Sequence, residues 1–180
     1  MLLGCRYSTL VILLRHSPNL NSLTQIIDNM SQHSDEVLSL VQNTVSAWAR
    51  CDVNDILRYM APNIDYYVNV DPYVAPFAAS TVGVQALKTR LNLLFTTFAV
   101  DFYFAKSIKV SIQEPFIARS NISYAYRDKA TNVLLDGCFR CIFHIADGFI
   151  VGVDEFHDRS YVEAFARLIC VLHQSPGDIS

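Results

Sequence analysis

The stretch that decides the fold runs from residue 134 to residue 158 and has the sequence LLDGCFRCIFHIADGFIVGVDEFHD. Two apolar runs of strand length flank Asp147-Gly148, a dipeptide typical of tight hairpin turns. Successive side chains of a strand point to opposite faces, so Glu155 and His157 lie on the same face. The stretch therefore predicts an antiparallel hairpin that presents two proton-carrying groups side by side.

The length of the turn determines which residues of the hairpin face each other. A three-residue loop over 146–148 pairs Phe139 with Glu155, whereas a two-residue turn pairs Arg140 with Glu155. Turn chemistry favours the two-residue form. Charge pairing does not distinguish the two registers, because Arg140 has an acidic partner in both. Both registers stay open, and only the first places Glu155 and Phe139 together in a pocket.

Composition excludes several classes of function. A chain of 180 residues with 52% hydrophobic residues suits one folded domain with a large core. A net charge of −3 leaves no basic surplus, so nucleic acid is not an expected partner. No apolar run approaches the ~20 residues needed to cross a bilayer, so no membrane partner is expected either.

Cysteine usage and motif content predict chemistry without a cofactor. The five cysteines are odd in number and scattered, which favours a reducing cytoplasm. Cys138 and Cys141 have C-x-x-C spacing, but three residues along a strand put them on opposite faces, unsuited to a zinc site or a redox pair. No metal-ligand cluster, glycine-rich phosphate loop or Ser-His-Asp spacing is present. We expect neither a metal nor a cofactor.

The first 30 residues are expected to lie outside the core. They contain no acidic residue before Asp28 and end at Met30, which would make an ordinary start just ahead of a helix. A signal peptide is the weaker alternative, since no convincing cleavage site follows the short apolar run. Residues 31–173 then form one domain, and residues 174–180 form a polar tail.

Three helices are predicted ahead of the sheet. Ser34 can cap the first, which should end near Arg50. Asp52 caps a short second helix that Pro62 stops. After a strand over 64–70 and a long apolar loop that serves as a cover, a third helix follows Gly83.

The second half of the chain predicts a meander of strands. Four strand-like runs follow one another at 100–112, 116–126, 133–145 and 149–157. Asp158 then caps a last helix. Helices first and strands last are typical of the α+β class.

Three stretches resemble the polyketide cyclase (SnoaL-like) family of the nuclear transport factor two and ketosteroid isomerase-like superfamily. They are the two-helix start at 49–64, the loop at 76–83 and the closing strand at 147–158. The resemblance covers residues 34–172 and favours the three-residue hairpin loop. It implies a cone-shaped, cystatin-like α+β fold, with a curved antiparallel sheet wrapped on N-terminal helices and a C-terminal helix.

The resemblance also implies roles for single residues. In limonene epoxide hydrolase a Tyr-x-Asn on the first strand helps to position water, and Tyr67-Val68-Asn69 is similar to it. An acid on the last strand falls at Glu155, and the isomerase-type base falls near Asp71. The Arg-x-Asp of the hydrolase falls near Asn121-Ile122-Ser123, where this chain has neither residue, which argues against epoxide hydrolysis.

The catalytic candidates are Glu155, His157 and Asp71, each with a structural alternative. A carboxyl in an apolar cone should have a raised pKa and serve as base or acid, unless Glu155 pairs with Arg140. His157 can shuttle protons, or it is a rim histidine near the last helix cap. Asp71 precedes a proline and suits a turn as well as a base.

Ligand pockets combine apolar walls with a few convergent polar groups. The substrate-contact candidates are Tyr67, Asn69, Phe98, Tyr103, Asn121, Ser123 and Phe139. They predict a cofactor-independent isomerase, cyclase, dehydratase or hydrolase acting on an apolar, oxygenated small molecule. The alternative is a non-catalytic ligand-binding or dimerisation module. A homodimer through the outer sheet face, with Cys138, Ile142 and Phe156, is expected under both hypotheses.

Overall fold

The computed structural model describes residues 20–111 and 116–174, with side chains from residue 31 onward. Its helices are α1 (Leu20–Ala49), α2 (Val53–Arg58), α3 (Val84–Thr97) and α4 (Arg159–Gln174). Its strands are β1 (Met60–Val68), β2 (Thr81–Val82), β3 (Phe98–Ser111), β4 (Phe116–Asp128), β5 (Leu134–Ala146) and β6 (Phe149–Phe156). The predicted α+β order, with four long strands between the third and last helices, is confirmed.

The strands form one sheet in the order β2-β1-β6-β5-β4-β3. One pairing differs from the expected antiparallel sheet, because β1 and β6 run parallel, with Val68 beside Glu155. The sheet is therefore mixed. This parallel pairing brings the first strand directly against the last one, so that groups from both ends of the domain meet.

The β5–β6 hairpin has the two-residue turn that turn chemistry predicts, but it keeps the corresponding register only beside the turn. Ala146 pairs with Phe149 across a two-residue turn in which Asp147 and Gly148 both have positive φ, at 52° and 76°. Beyond the turn β6 carries one extra residue, a bulge that shifts the pairing by one position. Glu155 consequently lies opposite Cys141, not opposite Phe139 or Arg140.

Two boundaries differ from the sequence predictions. The first helix begins at Leu20 rather than at Ser34, because no proline or glycine interrupts residues 20–33. Residues 1–19 of the predicted extension and all but the first residue of the predicted tail lie outside the described residues. Pro62 does not stop α2 but lies in β1, at an irregularity in the pairing with β6.

The predicted helix caps at Asp52 and Asp158 are confirmed. The Asp52 carboxylate accepts a hydrogen bond from the backbone N–H of Asp55 at 3.0 Å, and that of Asp158 accepts from Tyr161 at 3.1 Å. The core lies between the helices and the inner face of the sheet. Its most deeply buried side chains include Val41, Ile56, Ile64, Leu87, Leu91, Ile122 and Ile150.

Across the described ranges, no helix combines the length and the apolar character that a bilayer crossing demands.

Candidate functional site

Glu155 and His157 meet on the inner face of the sheet, as their spacing predicts. Glu155 is only 5% exposed, and each of its carboxylate oxygens has a partner. The Tyr66 hydroxyl donates to Oε1 at 2.5 Å, and Nε2 of His157 lies 3.2 Å from Oε2. The structure thus places an acid and a histidine in contact inside the core.

The pKa of Glu155 is lowered, contrary to the raised value expected from an apolar environment. Burial acts to raise it. The hydrogen bond and positive charge of His157, the charge of Arg90 and the hydrogen bond from Tyr66 together outweigh burial. Glu155 is therefore ionised at neutral pH, where its oxygens only accept hydrogen bonds.

An ionised Glu155 determines which nitrogen of His157 carries the proton. Because the carboxylate cannot donate, Nε2 donates to it in either form of the ring, and Nδ1 holds a lone pair whenever the ring is in its neutral form. Nδ1 is buried and has no hydrogen-bond partner among the described residues. The pair therefore offers one proton-accepting atom that is not already engaged.

His157 is held on both its backbone and its ring. Its backbone N–H donates to Oδ1 of Asn69 at 2.8 Å, and its carbonyl accepts from Nδ2 of Asn69 at 3.0 Å. The imidazole stacks on Phe139 with ring centroids 4.1 Å apart, and the edge of Tyr124 meets it at 5.8 Å. These contacts hold the ring in one orientation towards Glu155.

A small cavity lies beside the pair. Its volume is about 40 Å³, space for about one to three water molecules. Its walls are mainly apolar and aromatic, with a few polar groups. They are Trp48, Phe77, Ala78, Arg90, Leu94, Tyr124, Tyr126, Leu135, Phe139, Glu155, His157 and Val162. The predicted cover loop contributes Phe77 and Ala78.

Larger grooves occur elsewhere on the described part of the molecule. One of about 610 Å³ lies between α1 and the β5–β6 turn and is lined by residues such as Val37 and Phe116. Its ionisable residues, His33, Glu36 and Asp147, are exposed on the surface. Exposed charges keep their solvation, so the cavity beside Glu155 is the better candidate despite its smaller volume.

Two further members of the site were missed by the sequence analysis. Arg90 on α3 is 5% exposed, and its guanidinium carbon lies 4.1 Å from the centre of the Tyr66 ring. A charged residue three positions after Leu87 and four before Leu94 lies on the apolar face of the helix, a signal available in the sequence. Tyr66 shares its strand face with Val68, which likewise marked it as buried.

Buried tyrosines surround the pair. Trp48 donates through Nε1 to the Tyr126 hydroxyl at 2.7 Å and stacks on Tyr103 at 5.4 Å. Burial raises the pKa of Tyr66, Tyr103 and Tyr126, and the negative charge of Glu155 adds to the effect. All three hydroxyls therefore stay protonated at neutral pH and can donate hydrogen bonds.

Of the ten predicted site residues only Glu155, His157 and Phe139 line the cavity, and four of the others lie on the outer face of the sheet or in a turn. Tyr67 is 45% exposed and packs near Phe156 on the outer face, because β1 directs Tyr66 inward instead. Asn121 and Ser123 also lie on the outer face, opposite Arg140 and Cys138. The Asp71 carboxylate accepts from the backbone N–H of Tyr73 at 2.9 Å, which makes it a turn residue. These positions correct the predicted constellation.

The remaining candidates line the cavity, pack behind it or hold His157 in place. Phe139 lines the cavity. Phe98 is buried behind it and packs on Phe77 at 4.8 Å, and Tyr103 belongs to the neighbouring aromatic cluster. Asn69 contacts the backbone of His157 rather than the cavity, so its position suits support of the histidine.

Cys138 is exposed and Cys141 is buried, on opposite faces as predicted. Among the residues that the structure describes, no three His, Cys, Asp or Glu side chains cluster closely enough to hold a metal ion. The free thiol of Cys141 faces Glu155, and burial together with that negative charge raises its pKa. The Cys141 thiol is therefore neutral at neutral pH.

Comparisons of sequence and of structure give different results. No family model matches the chain, and no curated protein matches it by sequence. Solved structures do match, and the three described below share at most 16% sequence identity with this chain. The similarity of this chain to known proteins therefore lies in its fold and not in its sequence.

Three of these structures illustrate the match. A nuclear transport factor two-like protein of unknown function from Burkholderia pseudomallei has a TM-score of 0.63 at 12% identity, over 74% of this chain and 97% of that one. A candidate polyketide cyclase from Xanthomonas campestris has 0.55 at 16%, over 74% and 98%. The Delta 5-3-ketosteroid isomerase from a Mycobacterium species has 0.59 at 12%, over 70% and 95%. The chain has the nuclear transport factor two-like α+β fold that SnoaL-like polyketide cyclases and ketosteroid isomerase-like proteins share.

Proposed function

We propose that the chain is a cofactor-independent enzyme that moves a proton on an apolar, oxygenated small molecule, as isomerases, cyclases and dehydratases do. The observation that carries this proposal is the buried Glu155–His157 pair beside an aromatic cavity. Nδ1 of His157 takes the proton from the ligand, and ionised Glu155 holds Nε2 and stabilises the imidazolium that forms. Returning the proton to another atom of the ligand completes the reaction.

Tyr66 and Asn69 support this pair in different ways. The Tyr66 hydroxyl occupies the second oxygen of Glu155, which keeps the carboxylate turned towards His157. Asn69 holds the backbone of His157 through two hydrogen bonds. Both are positioning residues in this proposal, since neither needs to touch the ligand.

The test is a proton-exchange assay that works without an identified substrate. The protein is incubated in D₂O with a panel of apolar ketones that have exchangeable α-protons, and exchange is followed by NMR. We expect Glu155→Gln to lower the exchange rate at least about 100-fold. The matched control Asp154→Asn, one residue away on the outer face, should stay within about twofold of wild type. An unchanged rate in Glu155→Gln would refute the proposed roles.

A second candidate function follows from the small size of the cavity. A volume of about 40 Å³ is far below the ~300–1,000 Å³ of typical ligand pockets, and Glu155 is nearly inaccessible. These two observations favour a non-catalytic binding or dimerisation module. Under this hypothesis no ketone of the panel exchanges protons faster with wild type than with Glu155→Gln.

We also propose a homodimer formed through the outer sheet face. Tyr67, Phe102 and Phe104 are between 44% and 48% exposed there, and Ile142 and Phe156 are half-buried. Sedimentation should give twice the chain mass of 20.3 kDa. Phe104→Glu should shift the protein to the single-chain mass, whereas Val171→Glu, on an exposed position of α4, should not. A wild-type protein that sediments as a single chain would remove the proposal.

We propose that the protein acts in a reducing cytoplasm. The separate, unpaired thiols of Cys138 and Cys141 support this proposal.

A further inference from the structure

Arg90 is a buried cation whose charge acts on Glu155 but which has no carboxylate in direct contact. Its side chain forms no ion pair with any described residue, although the residue is only 5% exposed. It donates one hydrogen bond, from a terminal nitrogen to the Ala79 carbonyl at 3.2 Å, and its Nε has no partner. This guanidinium therefore has unused N–H donors, which is unusual because buried charges in proteins are usually paired.

Aromatic rings hold the guanidinium in place. Its central carbon lies 4.1 Å from the centre of the Tyr66 ring and 5.9 Å from that of Trp48. Attraction to the ring faces compensates part of the lost hydration. The rings do not saturate the in-plane N–H donors, which are suited to a negatively charged oxygen.

Arg90 lines the same cavity as Glu155 and His157. The cavity is therefore lined both by His157, whose Nδ1 has no hydrogen-bond partner among the described residues, and by Arg90, whose Nε has none. A ligand that enters as a neutral acid can give its proton to Nδ1 and leave its negative oxygen with Arg90. The charge of the cavity is then unchanged, since the imidazolium balances the new anion.

This charge balance determines which kind of acidic ligand the cavity accepts. A carboxylic acid is already ionised at neutral pH and would bring a negative charge next to the Glu155 carboxylate without a proton to neutralise it. A phenol enters neutral and brings its proton with it. The aromatic walls also suit a planar ring. The volume of about 40 Å³ accommodates only the hydroxyl end, so the Phe77 side chain must shift to admit the ring.

We propose that Arg90 binds the phenolate oxygen of an aromatic ligand whose hydroxyl proton has passed to His157. This inference rests on the proposed function, because it uses the same cavity, and it narrows the ligand to phenols. The bonds balance: the phenolic O–H breaks, an N–H forms at Nδ1, and the electron pair stays on the oxygen beside Arg90.

The experiment compares two probes, one of which carries a methyl group in place of the ionisable hydroxyl proton of the other. 4-Nitrophenol can ionise, and its phenolate has a distinct visible absorption, whereas 4-nitroanisole cannot ionise. We expect the wild type to bind 4-nitrophenol at least about tenfold more tightly than 4-nitroanisole and to hold it as the phenolate. Binding is measured by absorption and by equilibrium dialysis at one pH, set well below the pKa of free 4-nitrophenol so that bound phenolate reports proton transfer.

Variants on α3 assign this preference to Arg90. Arg90→Gln should lose at least about tenfold in affinity for 4-nitrophenol and little for 4-nitroanisole. Arg90→Lys keeps the charge and should retain part of the preference. The control Lys88→Gln removes an exposed charge two positions away and should bind both probes as the wild type does.

Three outcomes would overturn the inference: equal wild-type affinity for both probes, unchanged phenolate binding in Arg90→Gln, or no binding by wild type and by Phe77→Ala, which opens the cavity. If Arg90→Gln does not fold, the wild-type preference and Arg90→Lys still decide. Arg90-dependent phenolate binding without any ketone exchange would support this inference and refute the proposed proton-transfer reaction.

Discussion

Two acid–histidine pairs lie on opposite faces of the same hairpin and differ in their surroundings. Glu155 and His157 contact each other at 3.2 Å on the inner face, with side chains 7% and 11% exposed. Asp154 and His144 contact at 2.8 Å on the outer face, with side chains 32% and 31% exposed. The outer pair is the closer one, yet solvent screens it. Burial and the neighbouring groups, rather than distance, therefore distinguish a candidate site from a surface contact.

The neighbours of the two pairs explain the difference in chemistry. The inner pair adjoins Tyr66, Arg90 and a cavity, so that a charge formed there acts in a medium of low polarity. The outer pair bridges β5 and β6 in contact with water. A proton moved on the outer face is shared with the solvent, whereas one moved on the inner face can be delivered to a bound molecule.

The largest expected contrast is in stability. Glu155→Ala leaves the Tyr66 hydroxyl and the His157 ring buried without their acceptor, so it should lower the free energy of unfolding by about 3–5 kcal/mol. Asp154→Ala removes a solvent-screened contact and should cost about 0–1 kcal/mol. Urea denaturation of both variants measures the contrast. Equal losses would show that burial does not separate the two pairs.

A second contrast concerns pH. Since the pKa of Glu155 is lowered in the folded protein, its ionised form stabilises the fold, fully so above the ordinary carboxyl pKa of 4.5. At pH 7, Glu155→Gln should be less stable than wild type by about 1.5–3 kcal/mol. This difference should persist to pH 4.5 and shrink only as the pH falls through the lowered pKa. A difference that already disappears between pH 7 and pH 5 would indicate a raised pKa instead.

A third, smaller effect tests the support of the inner pair. Asn69→Ala removes both hydrogen bonds to the His157 backbone and should lower the free energy of unfolding by about 1–2 kcal/mol. It should also slow proton exchange, because the ring is no longer held towards Glu155. Asn63→Ala, at an exposed position of β1, should change stability by less than about 0.5 kcal/mol. If the two variants behave alike, Asn69 has no positioning role.

The smallest effect is expected on the outer pair. A Cβ added at Gly152 would lie 3.2 Å from Cδ2 of His144, so Gly152→Ala must displace that ring by a few tenths of an ångström. The cost should stay below about 1 kcal/mol, because the side chain can move towards solvent. Histidine ring signals in the NMR spectrum should shift for His144, while proton exchange stays at the wild-type rate. Loss of exchange would assign a role to the outer face.

Strand periodicity predicted the inner pair but not its surroundings. The two-residue spacing of Glu155 and His157 sufficed to place them on one face. Which face that is depends on the bulge after the Asp147-Gly148 turn, and bulges have no sequence signal comparable to that of the turn. For this reason the predicted two-residue register holds beside the turn but not at Glu155.

Sequence reasoning also selected the wrong face of the first strand. Tyr67 and Asn69 were chosen as the polar pair, yet the alternate face contributes Tyr66 to the site. Tyrosine suits both a core and a surface, so its position has to be inferred from its apolar neighbours. The burial of Arg90 likewise has to be inferred from its position on an apolar helix face and not from its charge. The lowered pKa of Glu155 depends on these two neighbours and on His157, and so could not be inferred from one strand.

The central claim is that Glu155 and His157 act on the proton as one unit while the outer pair does not. The direct test is the ketone exchange rate of the single and double variants of each pair. We predict that Glu155→Gln and His157→Gln each lower the rate at least about 100-fold, and that the double variant is no slower than the slower single variant. Asp154→Asn, His144→Gln and their double variant should keep the wild-type rate. Losses that multiply in the inner double variant, or equal losses on the two faces, would contradict the account.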